Sequence, residues 1–98
     1  MTNNENLLIT LAEECSEIQQ AVCKALRFGL ENVSPVENKK NKLMIMDEYY
    51  QLCATIELLQ KENILPTYGS AKILDIKENK KSKIKKYQTL SKRLGYLD

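Results

Sequence analysis

From Leu8 to Ala25 apolar side chains return in alternating steps of three and four, as Leu8, Leu11, Cys15, Ile18, Val22 and Ala25, and Gly29 stands just past the last of them. That spacing gathers all six on one side of an α-helix and scatters them over both faces of a strand. The segment therefore predicts one long amphipathic helix, capped by Asn3 or Asn4, running to about Phe28 and stopped by Gly29 as a left-handed C-cap residue. A helix with one apolar stripe is stable only against a partner, so the next question is what covers it.

The polar run from Leu30 to Lys40 reads as a connection, because Pro35 disfavours a helical Ser34. A second helix is expected from near Asn38 or Asn41 to about Glu62. Its main stripe is Leu43, Met46, Tyr50, Cys53, Ile56 and Leu59, widened by Met44, Ile45, Tyr49, Leu52 and Leu58. A helix apolar around most of its girth needs cover on several sides, which one neighbour does not supply. Pro66 and Gly69 break the pattern again. Beyond them a short irregular stretch and a third helix from about Lys80 to Leu94 are expected, with Ile84, Tyr87, Leu90 or Ser91, and Leu94 facing the bundle and Gly95 as the stop. The expected fold is all-α, a small bundle of about three main helices in one domain spanning residues 1–98. A chain of 98 residues is short of a deep private core, so homo-oligomerisation is expected to complete it.

Glu13, Glu14 and Glu17 sit inside the first periodic run, and Asp47 and Glu48 lie near the start of the second. On a helical wheel Glu13, Glu17, Gln20 and Lys24 share the side opposite the apolar stripe, with Glu14 between the two faces and so expected to be part-buried. Glu14 and Glu17 project one turn apart from one helix edge, an arrangement of oxygen ligands that suits Mg²⁺. Glu48 or Asp47 on the second helix can add a further carboxylate. Lys24 and Arg27 lie further along the first helix, within reach of phosphate, although an arginine in the last turn is also favoured there by the helix dipole.

Other chemistries are poorly served. The chain has no histidine, and its three cysteines lack CxxC spacing, which argues against a zinc site or a Cys/His pair. Cys15, Cys23 and Cys53 fall on or beside apolar stripes and are expected to be small buried hydrophobes. Their odd number suits a reducing cytosol. The start MTNNENLL has no basic n-region, and no run approaches the length of a membrane span, so a cytoplasmic protein is expected. The net charge of +2 argues against a dedicated nucleic-acid binder, although nine lysines and arginines between Lys72 and Arg93 form either a solvated helix face or a phosphate-attracting rim.

Taken together, LAEECSEIQQAVCKALRFG followed by DEYYQLCATIELL resembles the MazG-like all-α nucleoside triphosphate pyrophosphohydrolases, particularly the short single-domain versions common in phage genomes. KKSKIKKYQTLSKRLGYLD resembles their closing helix. The resemblance implies a homodimer or homotetramer with magnesium between helices, hydrolysing a nucleoside triphosphate, often a deoxynucleotide, to the monophosphate and pyrophosphate in the host cytoplasm. It places Glu14 and Glu17 on the first metal-binding ExxE pair, Glu13 on the frequently acidic position before it, and Glu48 on the glutamate of a second-helix ExxD. Glu14, Glu17 and Glu48 are thus the implied catalytic and metal-binding residues. Lys24, Arg27, Gln51, Tyr87 and Arg93 are the candidate substrate contacts, Lys24 by its place on the helix and Tyr87 because a tyrosine can stack on a base. Gln51 stands where the aspartate of ExxD is expected, and its amide supplies hydrogen bonds but no negative charge. The same pocket accordingly supports two readings: a magnesium-dependent hydrolase, or a weakened relative that senses or sequesters a nucleotide. A helical interaction module without a small ligand is the third.

Overall fold

Thr2 caps the first helix, in place of Asn3 or Asn4: its backbone is extended and its hydroxyl accepts the Glu5 N–H at 3.1 Å. In the computed structural model, which describes residues 1–98, α1 spans Asn3–Phe28, α2 Asn41–Lys61 and α3 Ser70–Arg93. No strand forms beyond an isolated antiparallel bridge between Val33 and Lys40, so the chain is all-α with three helices. It divides into two compact units, Met1–Pro66 and Thr67–Asp98. None of the three helices is long and apolar enough to cross a membrane.

In the first unit α1 and α2 pack on each other. The side of α1 turned inward is Leu7, Leu11, Glu14, Ile18, Ala21 and Ala25, of which Ala21 and Ala25 are buried and the others half-buried. This is the expected periodicity turned by one residue at three places: Leu8 and Val22 are exposed, and so are Cys15 and Cys23, which sequence alone places in the core. The two faces share Leu11, Ile18 and Ala25, and the buried one takes Leu7, Glu14 and Ala21 in place of Leu8, Cys15 and Val22. On α2 the inward side is Asn41, Ile45, Glu48, Leu52, Thr55 and Leu59, with Leu59 fully buried. Leu43, Met46 and Tyr50, expected in its main stripe, are exposed, as are Tyr49 and Leu58.

The connection is ordered by its own hydrogen bonds. Gly29 ends α1 with φ 97° and ψ 134°, a positive φ as expected, though more extended than the left-handed helical region. Asn41 is buried and its side-chain Nδ2 donates to the Gly29 carbonyl at 2.8 Å, while its backbone N–H donates to the Asn32 carbonyl at 2.9 Å. The end of α1 is thus tied to the start of α2, making the pair an antiparallel hairpin. Glu31 pairs with Lys42 at 2.6 Å and Lys40 at 3.2 Å, and Asp47 pairs with Lys39 at 2.8 Å. These exposed pairs fix the path of the loop more than they stabilise the fold. α2 closes with Asn63 at φ 57°, and the Ile64 N–H reaches back to the Leu59 carbonyl.

In the second unit α3 begins at Ser70, ten residues before the expected Lys80, and continues to Arg93. No proline or glycine lies between Ser70 and Arg93, and Ile73, Ile76, Ile84 and Tyr87 continue a single helical stripe, so nothing interrupts the helix. Gly95, with φ 84°, ends it as expected, and the Tyr96 N–H donates to the Ser91 carbonyl. No residue of α3 is buried.

Candidate functional site

Glu14 and Glu17 leave α1 from neighbouring turns, and Glu48 leaves the facing turn of α2. One carboxylate oxygen from each lies within 4.8 Å of those of the other two. Glu14 and Glu48 are half-buried, as the wheel position of Glu14 foretells. Each also keeps one buried oxygen, Oε2, without a hydrogen-bond partner. A buried polar atom left unpaired is costly, and three acidic groups this close repel one another. Both carboxyl groups respond. Burial, then the neighbouring Glu17 and Glu13, raises the Glu14 pKa above its usual value. Burial, then a hydrogen bond and charge repulsion from Glu17, with smaller contributions from Glu14 and Asp47, raises that of Glu48.

A hard divalent cation fits this trio. All three donors are carboxylate oxygens, Glu14 and Glu48 each keep one buried oxygen unpaired, and Mg²⁺ is usually bound by a few carboxylates with water and phosphate at its remaining positions. Asp47, the other acidic candidate on α2, turns to Lys39 and stays outside the trio. Glu13 also stands outside it.

The trio borders a cleft of about 850 Å³ whose lining includes Glu17 and Glu48. Along α1 the cleft follows Gln20, Ala21, Lys24 and Phe28, and along α2 it follows Met44 and Asn41. Residues Asn32–Glu37 of the connection form its far wall. Lys24 therefore occupies the place its wheel position predicts, on the same side as Glu17 and Gln20. Arg27 and Gln51 are exposed and lie outside the lining. The Arg27 guanidinium instead stands 6.0 Å from the centre of the Phe28 ring. Tyr49 and Tyr50 meet edge-to-face with ring centres 5.1 Å apart and do not line the cleft either. Tyr87 and Arg93 belong to α3, where Tyr87 with Lys80, Lys83, Tyr96 and Leu97 borders a smaller hollow of about 400 Å³.

Sequence reasoning missed Phe28, Met44 and Asn41 as parts of the site. For Phe28 a signal existed, since it continues the series Glu17, Gln20, Lys24 by one more turn. Compared with protein-family models, with curated proteins and with solved structures, the chain matches none.

Proposed function

We propose that the chain is a magnesium-dependent nucleotide-binding protein, similar to the MazG-like pyrophosphohydrolases, that hydrolyses a (deoxy)nucleoside triphosphate to the monophosphate and pyrophosphate. The observation that carries this reading is the convergence of Glu14, Glu17 and Glu48 from two helices, two of them with unpaired buried oxygens, at the mouth of a cleft that contains a lysine. Glu14, Glu17 and Glu48 would hold the magnesium, which would supply charge compensation for the phosphates and acidity to water. Lys24, seven residues or about two turns from Glu17, meets a phosphate oxygen. The reaction adds water oxygen to the α-phosphorus and breaks its bond to the bridging oxygen, so pyrophosphate leaves and a carboxylate of the trio takes the water proton.

One observation favours the weaker relative, which binds a nucleotide and releases it unchanged. Gln51, in place of the expected aspartate, is neutral, exposed and outside the cleft, so the trio has no fourth carboxylate on α2. A homodimer or homotetramer belongs to either version, supported by the apolar side chains that α1 and α2 leave uncovered, Leu26 at 80% and Leu43 at 48% exposure among them. The deciding experiment incubates the protein with Mg²⁺ and a panel of nucleoside triphosphates, separates products by chromatography and records thermal shifts. Pyrophosphate release that disappears in Glu17→Ala supports the enzyme. Stabilisation with the nucleotide recovered intact supports the binder, and at a free concentration of 100 Kd that stabilisation is about 2.7 kcal/mol. Absence of both product and thermal shift overturns the nucleotide reading.

A further inference from the structure

Along one edge of α1 the cleft changes chemistry in order: Glu17, Gln20, Lys24, Phe28. These residues are three or four apart, so they cover about 16 Å of one helix side. The far end is apolar. The Phe28 ring is 57% exposed, and Val33, Pro35 and Val36 of the connection and Met44 of α2 line the cleft around it. A nucleotide bound through its phosphates at the acidic end has a flat, partly apolar group at its other end, with the sugar between them.

Three polar side chains at the far end are already engaged, and the fourth, Glu37, ends in a carboxylate that accepts hydrogen bonds but donates none. Asn32 Nδ2 donates to the Phe28 carbonyl, Asn41 Nδ2 to the Gly29 carbonyl, and the Ser34 hydroxyl accepts the Glu37 N–H. These groups hold the connection against the helix ends, so few side-chain donors are left to read the edge of a base. A site built from hydrogen bonds rejects an analogue that lacks them, whereas an apolar surface discriminates by only one or two orders of magnitude.

Resting on the reading of the preceding subsection, we propose that Phe28, Met44 and the Val33–Val36 turn form a base-holding subsite that recognises a nucleobase by stacking and apolar contact. The polyphosphate lies at Glu14, Glu17 and Glu48, Lys24 meets the phosphate nearest the sugar, and the base covers the Phe28 ring. Because base edges are hardly read, the four common bases bind with similar affinity, the larger purine rings somewhat more tightly. The protein is then a nucleotide binder of relaxed base specificity.

The full chain contains no tryptophan, so Phe28→Trp introduces a single tryptophan at the subsite, excitable apart from the five tyrosines, while keeping an aromatic platform. With Mg²⁺ present, dATP, dGTP, dCTP and dTTP each change its emission, with affinities within about tenfold of one another, and inorganic tripolyphosphate leaves it unchanged. By calorimetry Phe28→Ala weakens the four nucleotides on the order of 10- to 100-fold and leaves tripolyphosphate affinity as in the parent protein. Three results overturn the subsite: emission that ignores nucleotides which calorimetry shows to bind, affinities spread over more than about a hundredfold among bases, or equal losses for nucleotide and tripolyphosphate in Phe28→Ala. Emission that responds to dilution of the protein but not to nucleotide also overturns it, by placing Phe28 under a second copy. If the parent protein binds neither the nucleotides nor tripolyphosphate, the metal and phosphate reading itself falls.

Discussion

The raised pKa values of Glu14 and Glu48 have opposite consequences from that of Glu31, which Lys42 and Lys40 hold below its usual value. A carboxyl with a raised native pKa binds more protons folded than unfolded, so its contribution to stability falls as pH rises through that pKa and is unfavourable above it. Lowering pH toward the ordinary carboxyl value removes the penalty. Glu31 acts below that value, where falling pH protonates it and loses its ion pairs. In metal-free buffer the melting temperature is therefore expected to be highest at mildly acidic pH, and added Mg²⁺ moves the maximum toward neutrality. Glu48→Gln is expected to raise the metal-free melting temperature at neutral pH and remove the Mg²⁺ response; a lower melting temperature in the absence of metal would contradict this origin for the shift. Gln51→Asp adds a carboxylate one turn from Glu48, so it is expected to tighten Mg²⁺ binding severalfold in a calorimetric titration. The trio was readable because ExxE spacing and a glutamate early in the second helix are local patterns. Phe28 was readable only in its spacing, one turn beyond Lys24 in the series Glu17, Gln20, Lys24, because its surroundings depend on where the connection passes.

At the scale of elements, the existence of three helices and the breaks at Gly29, Pro66 and Gly95 follow from periodicity and backbone chemistry, while the choice of buried face does not. In α1 two apolar stripes lie about 100° apart, one through Leu7, Leu11 and Ile18 and one through Leu8, Cys15 and Val22. Ala25 is buried with either stripe, and it is Ala21 rather than Val22 that is buried beside it. In α3 the lysines concealed the stripe, since Lys80 falls between Ile76 and Ile84 where an apolar residue would mark continuity. The helix pair in turn depends on its junction. An added Cβ at Gly29 meets Asn32 Nδ2 at 2.8 Å in a backbone region L residues rarely adopt, so Gly29→Ala is expected to cost about 1–3 kcal/mol. Asn41→Ala removes the buried bond to the Gly29 carbonyl and costs about 1–2 kcal/mol. Urea titration should show lower midpoints with unchanged slopes; an unchanged midpoint for Asn41→Ala would mean that the junction does not hold the hairpin together.

Over the whole molecule the near-neutral net charge conceals a division. Residues 1–66 carry six lysines and arginines against ten acidic residues, a net −4, and residues 67–98 carry nine against three, a net +6. The acidic unit contains the proposed metal site, so dividing the sequence by charge comes close to locating it, although composition of the whole chain excludes neither unit's partner. The same unit leaves apolar residues in water in a pattern that one chain does not cover. Leu8, Cys15, Val22 and Leu26 extend along α1, and Leu43, Met46 and Tyr50 along α2. Exposed apolar side chains aligned along both helices support the proposed self-association. With no charged side chain among these residues, the proposed association would rest on apolar burial rather than ion pairing, and screening by salt should change it little. Light scattering coupled to size exclusion is therefore expected to report a mass of at least two chains at both low and high ionic strength. Leu26 is 80% exposed, so Leu26→Glu does not disturb the α1–α2 contact but inserts a charge into the second stripe. That variant should elute with the mass of one chain and lose the concentration dependence of the parent's melting temperature. A single-chain mass for the parent protein would instead leave the second stripe of α1 without a role in self-association.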